Sequence, residues 1–309
     1  MVHNFQVDNE TLQRIWSAHG LGDVLTVDWA GRGVNNPAFV VNNTYVVRFD
    51  GFINEGISRF HGEQAAYGLL KQANIPCPQV IVLDDSKTLA PYDYMIMTKV
   101  EGTTILDSWP DLATTQQQQV AHEAGRLLAR LHNIPLPKFG DLYGTEGVFD
   151  DWYAYIMDKF TYDSERALTE SLFKPDIANR MRRALENHRP IFDSVTQPCL
   201  VHWDYHFGNL LQQDGKITAI LDFEWALGGD PAHDFNRRDE WESECPGSRD
   251  WVYNGYTSIR PLQADHEIRV ALYEMLWFQD CIINARDAAE TDFMRDKLIE
   301  RLTWLEENK

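Results

Sequence analysis

Apolar and polar positions divide the first hundred residues into two helices and a set of short strands. Asp8 and Gly20 are suited to cap a helix over residues 8–19, in which the apolar residues fall on one face. A second helical pattern covers residues 60–72. Runs rich in β-branched and aromatic residues predict strands over residues 24–29, 38–41, 45–49, 79–83 and 94–99. We therefore expect a small lobe of sheet and helix that ends near residue 98.

From about residue 114 the pattern becomes helical. An apolar stripe at helical spacing runs over residues 120–131, and further helices are predicted around residues 150–160, 176–194, 265–287 and 291–307. The one strong strand signal in this half is a hairpin over residues 199–222, with its turn at Asp214-Gly215. The sequence therefore predicts an α+β chain, with an N-terminal lobe over residues 1–98 and a mainly helical C-terminal lobe over residues 99–309.

The hairpin carries three side chains with metal-binding or proton-accepting oxygens at one end. In the stretches LVHWDYHFGNLL and AILDFEWA, Asp204 and Asn209 lie in the loop after the first strand, and Asp222 ends the last strand. Phosphoryl transfer needs a carboxylate that accepts the hydroxyl proton, and oxygen ligands for a magnesium ion that bridges the phosphates. We therefore predict Asp204 as the catalytic residue, and Asn209 and Asp222 as the magnesium ligands.

The motif H-x-D-x-x-x-x-N, followed by D-x-E, resembles the aminoglycoside phosphotransferase and choline kinase superfamily of small-molecule kinases. Matching landmarks run from about residue 27 to residue 234. The resemblance implies a protein-kinase-like bilobal fold, with an antiparallel sheet plus a helix in the N-terminal lobe and a mainly helical C-terminal lobe. It also implies Mg2+ and ATP, or GTP, as cofactors. The D-F-E form around Asp222 resembles the choline kinase branch.

The resemblance also implies nucleotide-binding roles in the N-terminal lobe. Arg48 stands at the position of the strand cation that contacts the phosphates, where many members of the superfamily have Lys. Glu63, in the helix, is expected to pair with Arg48 and restrain its orientation, and Glu55 is the alternative partner. Gly31 and Gly33 belong to a loop that would cover the phosphates with backbone N–H groups.

The segment that ends the N-terminal lobe resembles the hinge between the two lobes of the family. By the family pattern, Thr98 C=O and Val100 N–H would bind the adenine edge, and Met97 would form the back wall of the pocket. These are mostly backbone contacts, so side-chain identity constrains them little.

Four polar residues around the motif need a separate interpretation. His202 and His206 are four residues apart, but this spacing indicates a metal site only on a helix, so His202 is expected to hydrogen-bond loop backbone. Asp230-Pro231 predicts a helix N-terminus in which Asp230 is the N-cap. Asp230 and Asp234 recur in the family pattern, and we expect both to be scaffold residues.

Composition restricts the partners of the chain. With 47 acidic and 28 basic residues, the net charge is −19, which disfavours nucleic acids and anionic membranes and favours cationic partners. An acidic surface that only keeps the protein dispersed is the alternative. No run approaches the roughly 20 apolar residues of a membrane helix, the N-terminus lacks an export pattern, and the four cysteines are scattered. We therefore expect a cytoplasmic protein with no nucleic-acid or membrane partner.

An acidic segment over residues 237–250 bears on the acceptor. Acids that face the acceptor cleft would suit a polycation, while Trp225, Trp241 and Trp251 could instead cage a quaternary amine, and a solvated face is the third interpretation. We predict γ-phosphate transfer to a hydroxyl of a small cationic molecule such as an aminoglycoside, with choline, a sugar, a ketosamine, homoserine or a macrolide as alternatives. A nucleotide-binding pseudokinase is the non-enzyme alternative, which the intact motif disfavours. The acids are Asp239, Glu240, Glu242, Glu244 and Asp250.

Overall fold

A computed structural model describes residues 7–30, 36–50, 58–142 and 147–308 of the chain. The chain divides into two compact units, one of Met1–Val120 with Phe207–Ala226 and the other of Ala121–His206 with Leu227–Lys309. These units follow internal packing, so the lobe boundary expected near residue 98 stays a prediction. The predicted mixture of antiparallel sheets and helices is confirmed in the described residues.

The secondary structure of the described residues is as follows. The strands are β1 (Val27–Trp29), β2 (Ala38–Val41), β3 (Tyr45–Phe49), β4 (Val80–Asp84), β5 (Tyr94–Thr98), β6 (Thr103–Thr104), β7 (Phe139–Asp141), β8 (Val148–Phe149), β9 (Cys199–Val201), β10 (Leu210–Gln213), β11 (Lys216–Ile220) and β12 (Leu227–Gly229). The helices are α1 (Asn9–Ala18), α2 (Phe60–Gln72), α3 (Ile105–Ser108), α4 (Thr114–Leu131), α5 (Trp152–Thr169), α6 (Pro175–Asn187), α7 (Arg189–Asp193), α8 (Arg238–Glu244), α9 (Ser248–Thr257), α10 (His266–Asn284) and α11 (Ala288–Glu307). None of these helices is long and apolar enough to span a membrane.

The first unit contains a five-stranded antiparallel sheet in the order β1-β2-β3-β5-β4. Asn42 and Asn43 join β2 to β3 with φ of 54° and 52°, as both central positions of a type I′ turn require. Asp8 caps α1 by accepting the Thr11 N–H at 2.8 Å, as predicted. The apolar face of α1, which includes Trp16, packs in one core with buried side chains of β2, β3 and β5. This core holds β3 at the centre of the sheet.

A second, three-stranded sheet of the first unit has the order β11-β10-β6. The predicted hairpin turn is confirmed, because Asp214 and Gly215 join β10 to β11 with φ of 53° and 77°. The backbone N–H of Ile220 donates to Pro76 C=O at 2.9 Å, which ties the hairpin to the segment before β4. Residues that follow β11, including Asp222, are therefore positioned by the first unit.

The second unit differs from the sequence prediction in three places. Its four-stranded sheet, in the order β8-β7-β12-β9, has three strands that the sequence did not predict, because they are only two or three residues long. The single helix expected over residues 176–194 is wrong: α6 ends before His188 and α7 begins at Arg189, since Pro190 has no N–H to continue the ladder. The acidic segment forms α8 and the start of α9, neither of which was predicted.

Candidate active site

A buried cation in the first unit contacts three carboxylates. Arg48, on β3, donates from Nη1 to Glu63 Oε1 at 2.6 Å and from Nη2 to Asp222 Oδ1 at 2.9 Å. The same Nη2 lies 3.3 Å from Glu224 Oε2. Glu224 also accepts a hydrogen bond from the Asn36 side chain. The expected pairing of Arg48 with Glu63 is thus present, and the guanidinium additionally reaches the acids that follow β11.

Tyr67 links the same carboxylates through α2. Its hydroxyl donates to Glu63 Oε1 at 2.8 Å and accepts the backbone N–H of Asp222 at 3.1 Å. Asp222 has a φ of 65°, a left-handed conformation that is uncommon for residues other than glycine and must be maintained by its surroundings. Sequence analysis missed Tyr67, although its position one helical turn after Glu63 places both on one face of α2.

Burial and crowding of negative charge set the electrostatics of this cluster. Burial, with Asp222 nearby, raises the pKa of Glu224 to about 8, against the opposing effect of Arg48. Burial also raises the pKa of Glu63. The pKa of Arg48 lies well above its usual value because its carboxylate neighbours outweigh the effect of burial. Three carboxyl groups contact one guanidinium, and this crowding of acidic groups favours the binding of a further cation at the cluster.

Asn209 and Asp222 flank the β10–β11 hairpin at its open end, opposite the turn. The Leu221 N–H donates to Asn209 C=O at 2.8 Å, so Asp222 follows directly after the residue that pairs with Asn209. The Asp222 side chain is 35% exposed, whereas Glu63 is fully buried. A carboxylate and an amide oxygen are hard donors of the kind that Mg2+ prefers.

The other expected nucleotide residues are placed as follows. Met97 is a buried residue of β5 and pairs with both Val46 and Val80. Thr98 ends β5, and its N–H donates to Gln79 C=O at 2.9 Å. Val100 lies just beyond the strand and is partly buried. Gly31, Gly33 and the alternative Arg48 partner, Glu55, lie outside the described residues.

In the second unit, a buried carboxylate fixes the loop that carries Asp204. Asp234 accepts the backbone N–H groups of His202 at 2.8 Å and Trp203 at 2.7 Å, and it lies 2.9 Å from His132 Nε2. Trp203 has a φ of 75°. The Asp204 N–H points to His202 Nδ1 at 3.3 Å. The predicted contact of His202 with loop backbone and the predicted scaffold position of Asp234 are confirmed.

Asp230, four residues before Asp234, supports the same region. It accepts the Ala232 N–H at 3.1 Å as the predicted N-cap of a short 3-10 helix, Pro231–Phe235, in which Pro231 is the first residue. Its other oxygen accepts from Arg269 Nη1 at 2.6 Å and from the Tyr273 hydroxyl at 2.7 Å. Asp230 is therefore fully occupied by structural bonds of the second unit.

The Asp204 carboxylate contacts a cation that sequence analysis did not single out. Arg237 Nη1 contacts Asp204 Oδ1, and the rest of its guanidinium binds Glu240, with Nη2 at 2.6 Å from Oε1. On the other side, His206 Nε2 lies 3.6 Å from Asp204 Oδ2. His206, Glu240 and Glu244 also have possible ligand atoms within 4.8 Å of one another. Arg237 was counted only as the start of the acidic segment.

Much of the acidic segment is compensated locally. Asp239 pairs with Arg249 at 3.2 Å, and Glu242 accepts the Gly247 N–H at 2.9 Å. The cage hypothesis is wrong for Trp241, which is buried in the core and donates its indole N–H to Tyr205 C=O at 2.8 Å. A seven-residue helix is too short for its periodicity to show which side faces the core.

Comparisons with known proteins show the family to which the chain belongs. The APH family model, described as "Phosphotransferase enzyme family", matches residues 30–237, which is more than half of the chain. A chloroplastic protein-ribulosamine 3-kinase from Arabidopsis thaliana is 25% identical over 183 residues, or 56% of this chain and 54% of that protein. The chain thus spans about half the length of that curated relative.

Solved structures show the same fold. A putative fructosamine-3-kinase from Thermobifida fusca YX-ER1 has a TM-score of 0.72 and 18% identity, covering 97% of this chain and 99% of that one. A streptomycin-ATP-APH(2")-IIa ternary complex has a TM-score of 0.68 and 16% identity, covering 96% of this chain and 97% of that one. The predicted fold class is therefore confirmed.

Proposed function

The chain belongs to the phosphotransferase enzyme family (APH), and on that premise we propose that it is a small-molecule kinase. It transfers the γ-phosphate of ATP, with GTP as the alternative donor, to a hydroxyl of a small cationic acceptor such as an aminoglycoside. The observation that carries the proposal is the buried guanidinium of Arg48, held between Glu63 and Asp222. Phosphoryl transfer depends mainly on such fixed charges, because its transition state requires positioning and neutralisation.

Arg48 is assigned to the nucleotide phosphates. Glu63, which is itself bound by the Tyr67 hydroxyl, holds the guanidinium from α2, so the cation is oriented before a nucleotide binds. An arginine can donate two parallel hydrogen bonds to a phosphate, which suits a fixed rather than a mobile cation. Gly31 and Gly33 are proposed to cover the phosphates with backbone N–H groups.

The end of β5 is assigned to the nucleoside. We infer that Thr98 C=O and Val100 N–H bind the adenine edge, and that Met97 forms the apolar wall behind the base. Support comes from the buried position of Met97 and from the place of Val100 just outside the sheet.

Asn209 and Asp222 are assigned to Mg2+. Their amide and carboxylate oxygens fit this ion, and the surplus of carboxylates around Arg48 favours an additional cation in the first unit. When bound, Mg2+ neutralises the phosphate oxygens. Tyr67 maintains the backbone conformation of Asp222 and thereby orients its carboxylate.

Asp204 is assigned to the acceptor hydroxyl, whose proton its carboxylate accepts. Asp234 holds the loop through two backbone N–H groups, so the carboxylate of Asp204 is presented from a rigid segment. A positioned general base contributes roughly 10²–10⁴-fold in rate.

Two acceptor classes have support. The net charge of −19 and the streptomycin in a structural neighbour favour an aminoglycoside. The ribulosamine 3-kinase relative and the fructosamine-3-kinase structure favour a ketosamine. Both classes carry an amino group and several hydroxyl groups, so one acidic site could serve either.

A phosphate-transfer screen tests the proposal. The purified protein is incubated with radiolabelled Mg-ATP and a panel of aminoglycosides, ketosamines, choline, simple sugars and macrolides. Transfer to an amino sugar that is lost in Asp204→Asn supports the proposal. Nucleotide binding without transfer to any panel member supports the pseudokinase alternative, and transfer only to a neutral acceptor contradicts the cationic class.

A further inference from the structure

Arg237 is held in place from several sides within the second unit. Its Nε and Nη2 face the two oxygens of Glu240 as a fork, which leaves Nη1 to contact Asp204 Oδ1. The guanidinium also lies over the indole ring of Trp277, 5.4 Å from its centroid. The Arg237 side chain is only 15% exposed. Its position is therefore fixed independently of any ligand.

The backbones at the two ends of this contact are joined as well. Arg237 C=O accepts the Trp241 N–H at 3.0 Å, and the Trp241 indole donates to the C=O of Tyr205, the residue after Asp204. Because Trp241 is buried, it anchors the start of α8 to the loop that carries Asp204. Arg237 and Asp204 thus belong to one rigid frame.

We propose that Arg237 is a positioning residue for Asp204, an inference that rests on the proposed function. Held by Glu240, Arg237 engages Oδ1 and fixes the rotation of the carboxylate that accepts the hydroxyl proton. Arg237 and His206 are charged groups of the second unit that lie next to Asp204, and Glu240 and Glu244 lie beside them. Arg237 acts through Asp204 and is not itself assigned to the acceptor.

The kinetic test compares Arg237→Gln and Glu240→Gln with Arg249→Gln. Arg249 is a matched control, because it is an arginine of the same segment that pairs with Asp239, at 3.2 Å. Misplacing a reacting group by about 1 Å costs about 100-fold in rate, so we expect kcat to fall to that extent in the first two variants. The KM values for ATP and for the acceptor identified in the screen should change by less than about threefold.

Two further measurements separate positioning from general damage. Methylguanidinium added to Arg237→Ala should restore part of kcat, and it should have no effect on Asp204→Asn. Arg237→Gln combined with Asp204→Asn should be no slower than Asp204→Asn alone, because both changes remove the same function. The proposal is overturned if Arg237→Gln keeps the kcat of the control, or if its only effect is on the acceptor KM.

A measurement that needs no acceptor tests the inference separately from the proposed function. In protein labelled with 13C at the aspartate carboxyl carbons, the Asp204 signal is identified by its loss in Asp204→Asn. Its chemical shift should change more in Arg237→Gln than in Arg249→Gln, because Arg237 contacts the Asp204 carboxylate whereas Arg249 pairs with Asp239. A change no larger than that in Arg249→Gln overturns the inference whether or not the screen finds a substrate. If Arg237→Gln does not fold, Glu240→Gln decides by the same measurements.

Discussion

Asp234→Asn provides a direct test of the scaffold that holds the Asp204 loop. The wild-type carboxylate is fully buried and accepts from His202 N–H, Trp203 N–H and His132 Nε2 at 2.7–2.9 Å. Asparagine keeps one acceptor oxygen but places an NH2 group where the second oxygen was. One of the two backbone N–H groups then meets a donor and loses its partner.

The loss of stability in Asp234→Asn follows from counting these hydrogen bonds. A buried N–H without a partner costs about 1–3 kcal/mol, and two bonds that change from a charged to a neutral acceptor lose about 1 kcal/mol each. The free energy of unfolding should therefore fall by about 3–5 kcal/mol, a large share of the roughly 5–15 kcal/mol of a typical domain. His132 can exchange its ring proton to the nitrogen that faces Tyr256, 3.0 Å away, but the backbone groups cannot adapt in this way.

Urea unfolding followed by circular dichroism measures the change, with Asp250→Asn as the control that removes an exposed carboxylate of the same unit. The control should unfold within about 0.5 kcal/mol of the wild type. If Asp234→Asn also stays within that range, the three hydrogen bonds do not hold the loop in solution, and the explanation of its rigidity is refuted.

Three further predictions concern the charges of the two units. Asp222→Ala should weaken Mg-ATP binding in a calorimetric titration, while binding of ATP without metal changes less, since a metal ligand is lost. Glu224→Gln should stabilise the protein at pH 8.5 but not at pH 5 in thermal unfolding. The raised pKa of about 8 means that the folded state holds a proton that the unfolded state loses above about pH 4.5, so wild-type stability falls as pH rises through this window. Glu244→Gln with Asp250→Asn should raise the acceptor KM and reduce its salt dependence, because exposed charges are screened over about 8–10 Å.

Each of these predictions has an outcome that contradicts it. Equal Mg-ATP affinity in Asp222→Ala would move the metal assignment to Glu224. A pH-independent difference between Glu224→Gln and the wild type would show that Glu224 is ionised across the range. An acceptor KM that is the same in the double variant and at high salt would indicate that the acidic segment is a solvated face.

The sequence predicted the Arg48 cluster better than the surroundings of Asp204. The resemblance to small-molecule kinases indicated a strand cation at Arg48, and the helical position of Glu63 favoured it as the partner, so their pairing could be anticipated. Glu224 and Tyr67 complete the cluster through contacts between segments about 150 residues apart, which spacing alone does not reveal. Each residue could be identified in the sequence, but the contacts between them could not be predicted from it.

The surroundings of Asp204 could not be predicted from the sequence for a different reason. The acidic segment was interpreted as a set of equivalent charges, whereas the structure pairs some of them individually: Arg237 binds Glu240, and Arg249 binds Asp239. Trp241, which is buried, was grouped with the partly buried Trp225 and Trp251 because α8 is too short to show an apolar face. Short helices and ion pairs between neighbouring turns depend on tertiary packing, which one sequence does not display.

The division of the chain into two units has a consequence for synthesis. The first unit is built from residues up to Val120 and from Phe207–Ala226, so its packing is complete only after residue 226 has left the ribosome. Until then Arg48 has Glu63 but lacks Asp222 and Glu224, and β6 lacks its partner β10. A fragment that stops at Val120 would leave that strand edge unpaired, which makes it prone to aggregation. An isolated first unit would therefore have to be made with the hairpin rejoined to it by a linker.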